Sequence, residues 1–238
     1  MIQGMDITFE DSPWEKMLSQ LESGQQLSAV SLLTVLDGEN EDTVEEVFSR
    51  LWQMQISICL NDLPQFAADS ETAVRLRWEK QLVQQGTLME SLDSTDPLRM
   101  YLEELAKIPV QGDIQLLAER LPQDQSAADK IMNLSLSRVV ELACRNTGYG
   151  VLLTDLIQEG SIGLWEHLCD YSGGDISEYI TGCIQFAMTK AIILQSHATG
   201  IGQKLKQAVE DYRAIDEKLL TELGRNPTMQ EIADGLHL

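Results

Sequence analysis

The sequence predicts an all-α protein: a multi-helix core domain, preceded by a small acidic helical module and followed by part of a further helical domain. Aromatic residues make up only 5% of the 238 residues, while Leu, Ala, Gln, Glu and Ile are abundant, and this composition favours helices. Apolar residues also recur at spacings of three and four in successive segments, which is the period of an amphipathic helix.

The N-terminal module, 1–65, is expected to contain three helices. The first has an apolar stripe around Leu18, and the second begins after Ser28, whose hydroxyl can cap it. The third covers 42–52, where the apolar residues fall on one face. Residues 56–60 alternate between apolar and small polar side chains and can form a short extended segment.

Three further segments follow the module. Residues 66–95 are polar and acidic, and they are interpreted as a linker with a possible helix at 71–85. The core domain, 96–200, opens where Asp96 can cap a helix whose first turn contains a proline. Part of another helical domain is expected at 201–238, where a threonine and a glutamate have the spacing of a capping box.

The chain is strongly acidic, with a formal net charge of −21 at pH 7. Residues 1–95 contain 5 basic and 17 acidic residues, so more than half of the excess lies in this part of the chain. A protein that binds DNA normally presents a basic surface, because neutralising phosphates supplies much of the affinity. None of the expected domains has a positive net charge.

Several classes of function find no support in the sequence. No apolar run approaches the length of a membrane span and no signal peptide is recognisable, which predicts a soluble, cytoplasmic protein. The four cysteines lie far apart and the three histidines are isolated, so neither residue type forms a metal-ligand pattern. No phosphate-binding loop is recognisable. We therefore expect no enzymatic activity, no cofactor and no metal.

The stretch 155–165 has the most distinctive pattern. Its apolar residues recur at helical spacing and can pack inward, while Asp155, Gln158 and Glu159 face outward. Gly160 and Gly163 indicate either a bend or a close approach by another backbone. By itself, the pattern is typical of an amphipathic helix that either docks a partner or simply lies at the edge of a core.

Residues 155–164 read Asp-Leu-Ile-Gln-Glu-Gly-Ser-Ile-Gly-Leu, which resembles the core-polymerase-binding motif of bacterial primary sigma factors, the sigma-70 family. In that family this helix docks on the clamp helices of the largest subunit of RNA polymerase. The resemblance implies core RNA polymerase as the partner and implies that the binding residues are Asp155, Leu156, Gln158, Glu159, Ser161 and Trp165. Ser161 and Trp165 stand where the family has Asn and Met.

Other segments resemble the family in the expected order. Residues 96–102, Asp-Pro-Leu-Arg-Met-Tyr-Leu, are similar to the start of its core domain, and a turn at 108–110 follows. Residues 223–228, Leu-Gly-Arg-Asn-Pro-Thr, are similar to its next domain. The resemblance ends partway through that domain, before the segment that binds the minus-thirty-five element. The acidic module is loosely similar to the domain that occupies the polymerase DNA channel, and an unrelated three-helix domain is the alternative.

The helix expected at 176–192 corresponds to the family's helix that melts and recognises the minus-ten promoter element. The residual DNA-facing residues are Tyr179, Gln185, Phe186, Thr189 and Lys190. Tyr179 keeps the position that captures the flipped base, but Gln185 and Phe186 replace a phosphate-binding Arg and a base-reading Gln. Gly182 and Cys183 replace the tryptophan pair that wedges the duplex, which removes stacking surface. Binding of promoter DNA is therefore expected to be weak or absent.

The resemblance leaves three functions open. The first is a sigma-70-family-like RNA polymerase subunit that binds core RNA polymerase and acts in transcription initiation, with degraded promoter-reading residues. The second is a non-initiating mimic or antagonist that competes for core RNA polymerase or occupies its DNA channel, and the acidic charge favours it. The third is a degenerate product of a phage or mobile element that binds another protein.

Overall fold

The computed structural model describes residues 12–63, 71–108, 112–121 and 124–236, with side chains for these residues except 71–73, 201–206 and 210. The described residues form twelve helices and two three-residue strands, which confirms the predicted all-α fold class. They make two compact units, one of 12–59 with 196–236 and one of 60–195. The domain boundaries expected at 65, 95 and 200 stay a prediction. Most of the turn expected at 108–110 lies outside the described residues.

The helices and strands follow one another along the chain with mostly short connections. In order they are α1 (Pro13–Ser19), β1 (Gln26–Ser28), α2 (Ala29–Leu36), α3 (Glu41–Gln53), β2 (Ser57–Cys59), α4 (Glu71–Gln85), α5 (Leu88–Ser91), α6 (Pro97–Leu105), α7 (Ile114–Ala118), α8 (Gln125–Arg145), α9 (Leu153–Leu168), α10 (Ile176–Ala198), α11 (Ile201–Leu223) and α12 (Met229–Gly235). The bounds of α4 agree with the helix expected at 71–85.

The first unit is built around α2 and α3, whose inward faces are buried. Ser28 begins α2 by accepting a hydrogen bond from the backbone N–H of Ser31, which confirms the predicted cap. β1 and β2 pair in parallel, with Leu27 opposite Ile58, and α2 and α3 form the crossover that parallel pairing requires. Because α11 packs against α2, the N-terminal module and the C-terminal segment belong to the same unit.

The predicted capping box at the start of α12 is confirmed. The Thr228 hydroxyl accepts from the backbone N–H of Glu231, and the Glu231 carboxylate accepts from the backbone N–H of Thr228. Arg225 also donates to this carboxylate, at 2.6 Å from its Nη2 atom. The hydrogen bonds from Arg225 and Thr228 lower the pKa of Glu231 to about 2. The start of α12 is therefore fixed by residues within six positions of one another.

The second unit contains α4 to α9 and most of α10. Its core includes fully buried residues of three helices, among them Ile131 and Leu142 of α8, Leu153 and Leu164 of α9, and Ile184 and Ile192 of α10. Asp96 caps α6 by accepting from the backbone N–H of Leu98, as the sequence predicts. The helix α4 belongs to this unit, and its Leu76 and Leu82 are buried.

Candidate docking surface on helix α9

One face of α9 is fully buried. Leu153, Leu156 and Leu164 are all 0% exposed, and their helical spacing places them on the same side. Leu156 was expected at the partner surface, but the structure places it in the core because it follows Leu153 by three positions. Its side chain therefore supports the docking helix from within and offers no surface to a partner.

The opposite face of α9 is exposed. This outer face of α9 consists of Asp155, Gln158, Glu159, Ile162, Trp165 and Glu166. Neighbouring members stand three or four residues apart, so they form one stripe. Ile162 is 43% exposed and Trp165 is 49% exposed, and such apolar area is what a partner could cover. Ile162 and Glu166 extend the surface expected from the sequence, and helical spacing from Gln158 and Glu159 would have been sufficient to find them.

Ser161, also expected at the partner surface, lies at the edge of the outer face. Its side chain is half buried, and its hydroxyl donates to the carbonyl oxygen of Ile157 at 2.8 Å. Serine often makes this bond to the preceding turn of a helix. The only hydroxyl proton of Ser161 is therefore used within α9, and its oxygen is what remains to accept from a partner.

The two glycines of α9 let α10 lie close to it. A Cβ atom at Gly163 would be 2.1 Å from the Cβ of Ala187 and 3.5 Å from the carbonyl oxygen of Cys183. A Cβ atom at Gly160 would be 2.4 Å from the terminal methyl group of Met188. Of the two interpretations left open by the sequence, the close approach of another helix is the one confirmed.

The N-terminal end of α9 is capped by a different helix. Its own N-cap residue, Leu152, makes no side-chain hydrogen bond to the helix. Glu79 of α4 accepts from the backbone N–H of Leu153 at 3.0 Å and also pairs with Arg75 at 3.3 Å. Sequence reasoning missed Glu79 because 74 residues separate it from Leu153.

Tyr179, at the position where the family captures a base, is engaged within the protein. Its hydroxyl donates to the carbonyl oxygen of His167 at 2.7 Å, and its ring packs edge-on against Tyr171 with 5.3 Å between centroids. Burial, with a smaller effect from the neighbouring Cys183, raises the pKa of Tyr179 well above its usual range. The side chain therefore joins α10 to the C-terminal end of α9.

The other expected DNA-facing residues of α10 differ in exposure. Gln185 is exposed, Phe186 and Lys190 are half buried, and Thr189 is only 8% exposed. At the two positions of the lost tryptophan pair, a Cβ at Gly182 would meet open space, whereas Cys183 is 0% exposed. Burial raises the pKa of the Cys183 thiol to about 12. The change from the family therefore affects the surface at Gly182 and the core at Cys183.

The described residues offer neither a metal cluster nor a membrane-spanning helix. In 12–63, 71–108, 112–121 and 124–236, no three His, Cys, Asp or Glu side chains come together in a way that could hold a metal ion. None of the described helices combines the length and the apolar character needed to span a membrane.

Comparison with known proteins finds relatives but no matching family model. The chain is 35% identical over 153 residues to the RNA polymerase sigma factor SigA of Clostridium acetobutylicum, a match that covers 62% of this chain and 40% of the relative. It is 32% identical over 158 residues to the RNA polymerase sigma factor SigA of a Bacillus species, covering 64% of this chain and 42% of the relative. The chain thus spans about two fifths of the length of these curated relatives.

The two relatives have the same name and match similar shares of the chain. Over more than three fifths of its length, the chain is 35% and 32% identical to these two proteins. The described residues also form twelve helices and only two short strands. The chain is therefore similar, over about three fifths of its length, to bacterial RNA polymerase sigma factors.

Proposed function

We propose that this protein is an RNA polymerase subunit that binds core RNA polymerase in the cytoplasm and acts, without catalysis of its own, in transcription initiation. The outer face of α9 is the observation that supports this most directly. Its motif residues Asp155, Gln158 and Glu159 are exposed side by side on a helix whose other face is buried. Similarity to proteins named RNA polymerase sigma factor SigA favours the same partner.

The composition of the outer face of α9 indicates what its partner should look like. Ile162 and Trp165 lie one turn apart and provide exposed apolar area, and tryptophan is among the residues that most often dominate binding energy. Three carboxylates on the same face favour a basic partner surface, and their long-range attraction weakens as salt rises. We propose the clamp helices of the largest polymerase subunit as this surface.

Co-elution of the full chain with core RNA polymerase tests the proposal. Trp165→Ala removes the largest apolar side chain of the outer face, and we expect the Kd to rise by about tenfold or more. Trp78→Ala is the matched control, because Trp78 is 43% exposed on α4 and lies outside the outer face of α9. We expect its Kd to equal that of the wild type.

Each result of the co-elution experiment bears on the proposal. Failure of the wild-type chain to co-elute even at low salt would contradict binding to core RNA polymerase. Equal Kd values for Trp165→Ala and Trp78→Ala would show that the outer face of α9 is not the docking surface. A Kd that rises with salt for the wild type would support the contribution of the three carboxylates.

A non-initiating function, as a competitor for core RNA polymerase or an occupant of its DNA channel, is the second candidate. It is favoured by Tyr179, whose hydroxyl donates to the carbonyl oxygen of His167 within the protein. It is also favoured by residues 176–203, which contain one lysine and one glutamate and so offer little charge for phosphate contacts. The net charge of −21 is negative, as the charge of DNA is, and a protein that mimics DNA needs such a charge.

Permanganate footprinting on promoter DNA separates the two candidates. An initiating subunit bound to core RNA polymerase should make thymines of the minus-ten region reactive, because those bases become unpaired. Co-elution without reactive thymines would support the second candidate. That candidate further predicts that adding this chain reduces the footprint produced by an active SigA-type factor.

A further inference from the structure

The N-terminal end of α9 lacks a hydrogen bond from the side chain of its own N-cap residue. The first N–H groups of any helix have no partner within it, and a side chain of the N-cap residue normally satisfies one of them. Here the N-cap residue is Leu152, which has no side-chain acceptor and makes no such bond. The first helical residue, Leu153, is fully buried, so its N–H requires an acceptor from the protein.

Glu79 supplies that acceptor from α4. Its Oε2 atom lies 3.0 Å from the backbone nitrogen of Leu153, and its Oε1 atom lies 3.3 Å from Nε of Arg75. The side chain of Glu79 is only 5% exposed, and a buried carboxylate is tolerated where such partners are present. Its negative charge also lies at the positive end of the α9 dipole, which is a favourable position.

The rest of α4 holds Glu79 in place. Leu76 and Leu82 precede and follow it by three positions and are 2% and 8% exposed, so all three side chains enter the core from one face of α4. Trp78, at the edge of this face, remains 43% exposed. The segment interpreted as a linker therefore presents one buried acidic residue, flanked by two leucines, to the start of α9.

We infer that Glu79 is a positioning residue for docking: α4 fixes the N-terminal end of α9 through this carboxylate and thereby sets the first turn, which contains Asp155, for the partner. This inference rests on the proposed function of the outer face of α9. It adds that residues 71–85 are part of the docking element although they make no contact with the partner. Loss of the acceptor frays the first turn and leaves the remainder of α9 folded.

Three variants isolate the role of the Glu79 acceptor. Glu79→Leu fills a similar volume without an acceptor, and Glu79→Gln keeps an oxygen that can accept from Leu153 but removes the charge. Leu105→Ala, a change to a buried residue of α6, is the control for a general loss of stability. The measurements are hydrogen exchange of the α9 amides by NMR and the Kd of the full chain for core RNA polymerase.

We expect Glu79→Leu to speed exchange of the Leu153 amide by about five- to tenfold, the size of a lost cap. We also expect it to raise the Kd by a similar factor. Glu79→Gln should keep both the Leu153 exchange rate and the Kd close to their wild-type values. Leu105→Ala should lower the urea midpoint of unfolding but leave the Kd and the relative protection of the first turn of α9 unchanged.

The outcomes distinguish this inference from the proposed function. Unchanged exchange at Leu153 in Glu79→Leu would overturn the inference without any use of polymerase. Faster exchange with an unchanged Kd, in a protein whose Trp165→Ala variant binds weakly, would overturn the positioning role and leave the docking surface intact. If Glu79→Leu does not fold, the Glu79→Gln variant decides: faster exchange at Leu153 by more than about fivefold would contradict a role based on the acceptor oxygen.

Discussion

Replacing Gly163 by alanine adds one methyl group where α9 and α10 approach each other closely. The new Cβ would lie 2.1 Å from the Cβ of Ala187, whereas carbon atoms in contact are normally about 3.5–4.0 Å apart. Both atoms are bonded directly to helix backbone, so no side-chain rotation relieves the overlap. The two helices would have to separate by roughly 1.5 Å to restore an ordinary contact.

Two opposing effects determine the change in the free energy of unfolding. Alanine favours a helix over glycine by about 1 kcal/mol, while adding volume to a packed core costs about 1–3 kcal/mol. Because the overlap at Gly163 is with a second backbone-attached atom, we take the upper end and expect a net destabilisation of about 2 kcal/mol. Gly182→Ala on α10 is the matched control: no atom lies within 4 Å of its Cβ position. It should stabilise by about 1 kcal/mol.

Urea unfolding followed by far-UV circular dichroism measures the difference. With equal slopes, the midpoints of Gly163→Ala and Gly182→Ala should move in opposite directions from the wild type. Gly160→Ala should fall between them, because its Cβ would overlap the flexible end of Met188 at 2.4 Å, which can move aside. Midpoints that shift in the same direction for Gly163→Ala and Gly182→Ala would refute the reasoning.

Further substitutions in α10 test its contact with α9 and its effect on promoter DNA. Tyr179→Phe removes the donor to the His167 carbonyl, and we expect a loss of about 1 kcal/mol in the free energy of unfolding; unchanged stability would show that this hydroxyl does not join the helices. Gly182→Trp should fold normally, because its position faces open space, and should still produce no permanganate-reactive thymines, because the phosphate anchors are missing. Reactive thymines in that variant, or in the double variant with Cys183→Trp, would overturn this expectation. Cys183→Trp alone should destabilise the fold, because Cys183 is fully buried.

Features that depend on near neighbours in the chain were predictable. A helix at 71–85 was expected within the polar segment, and the caps at Asp96 and Thr228 bond to residues two and three positions away. Helical spacing also predicted that Leu156 packs inward. The family motif predicted a partner contact for the same residue, and its 0% exposure agrees with the spacing. The motif identified the helix, while the spacing identified its exposed residues.

Other features required contacts between distant residues. The hydroxyl of Tyr179 donates to His167, twelve positions away and on another helix. Glu79 accepts a hydrogen bond from the first residue of α9, which lies 74 residues later in the chain. From the sequence, Cys183 in place of a tryptophan suggests a loss of exposed stacking surface. Cys183 is fully buried, however, so the difference lies in the core.

By itself the sequence determined the positions of several helices, which residues cap some of them, and that α9 has acidic residues on its outer face. These properties are set by dihedral preference, side-chain period and hydrogen bonds within about one helical turn, all of which can be read from neighbouring residues. Only the tertiary structure decided that Glu79 caps α9, that Tyr179 is held by α9, and that Gly163 meets Ala187. Those pairs depend on how whole helices pack, and side-chain spacing within one helix does not specify which residue of another helix it will meet.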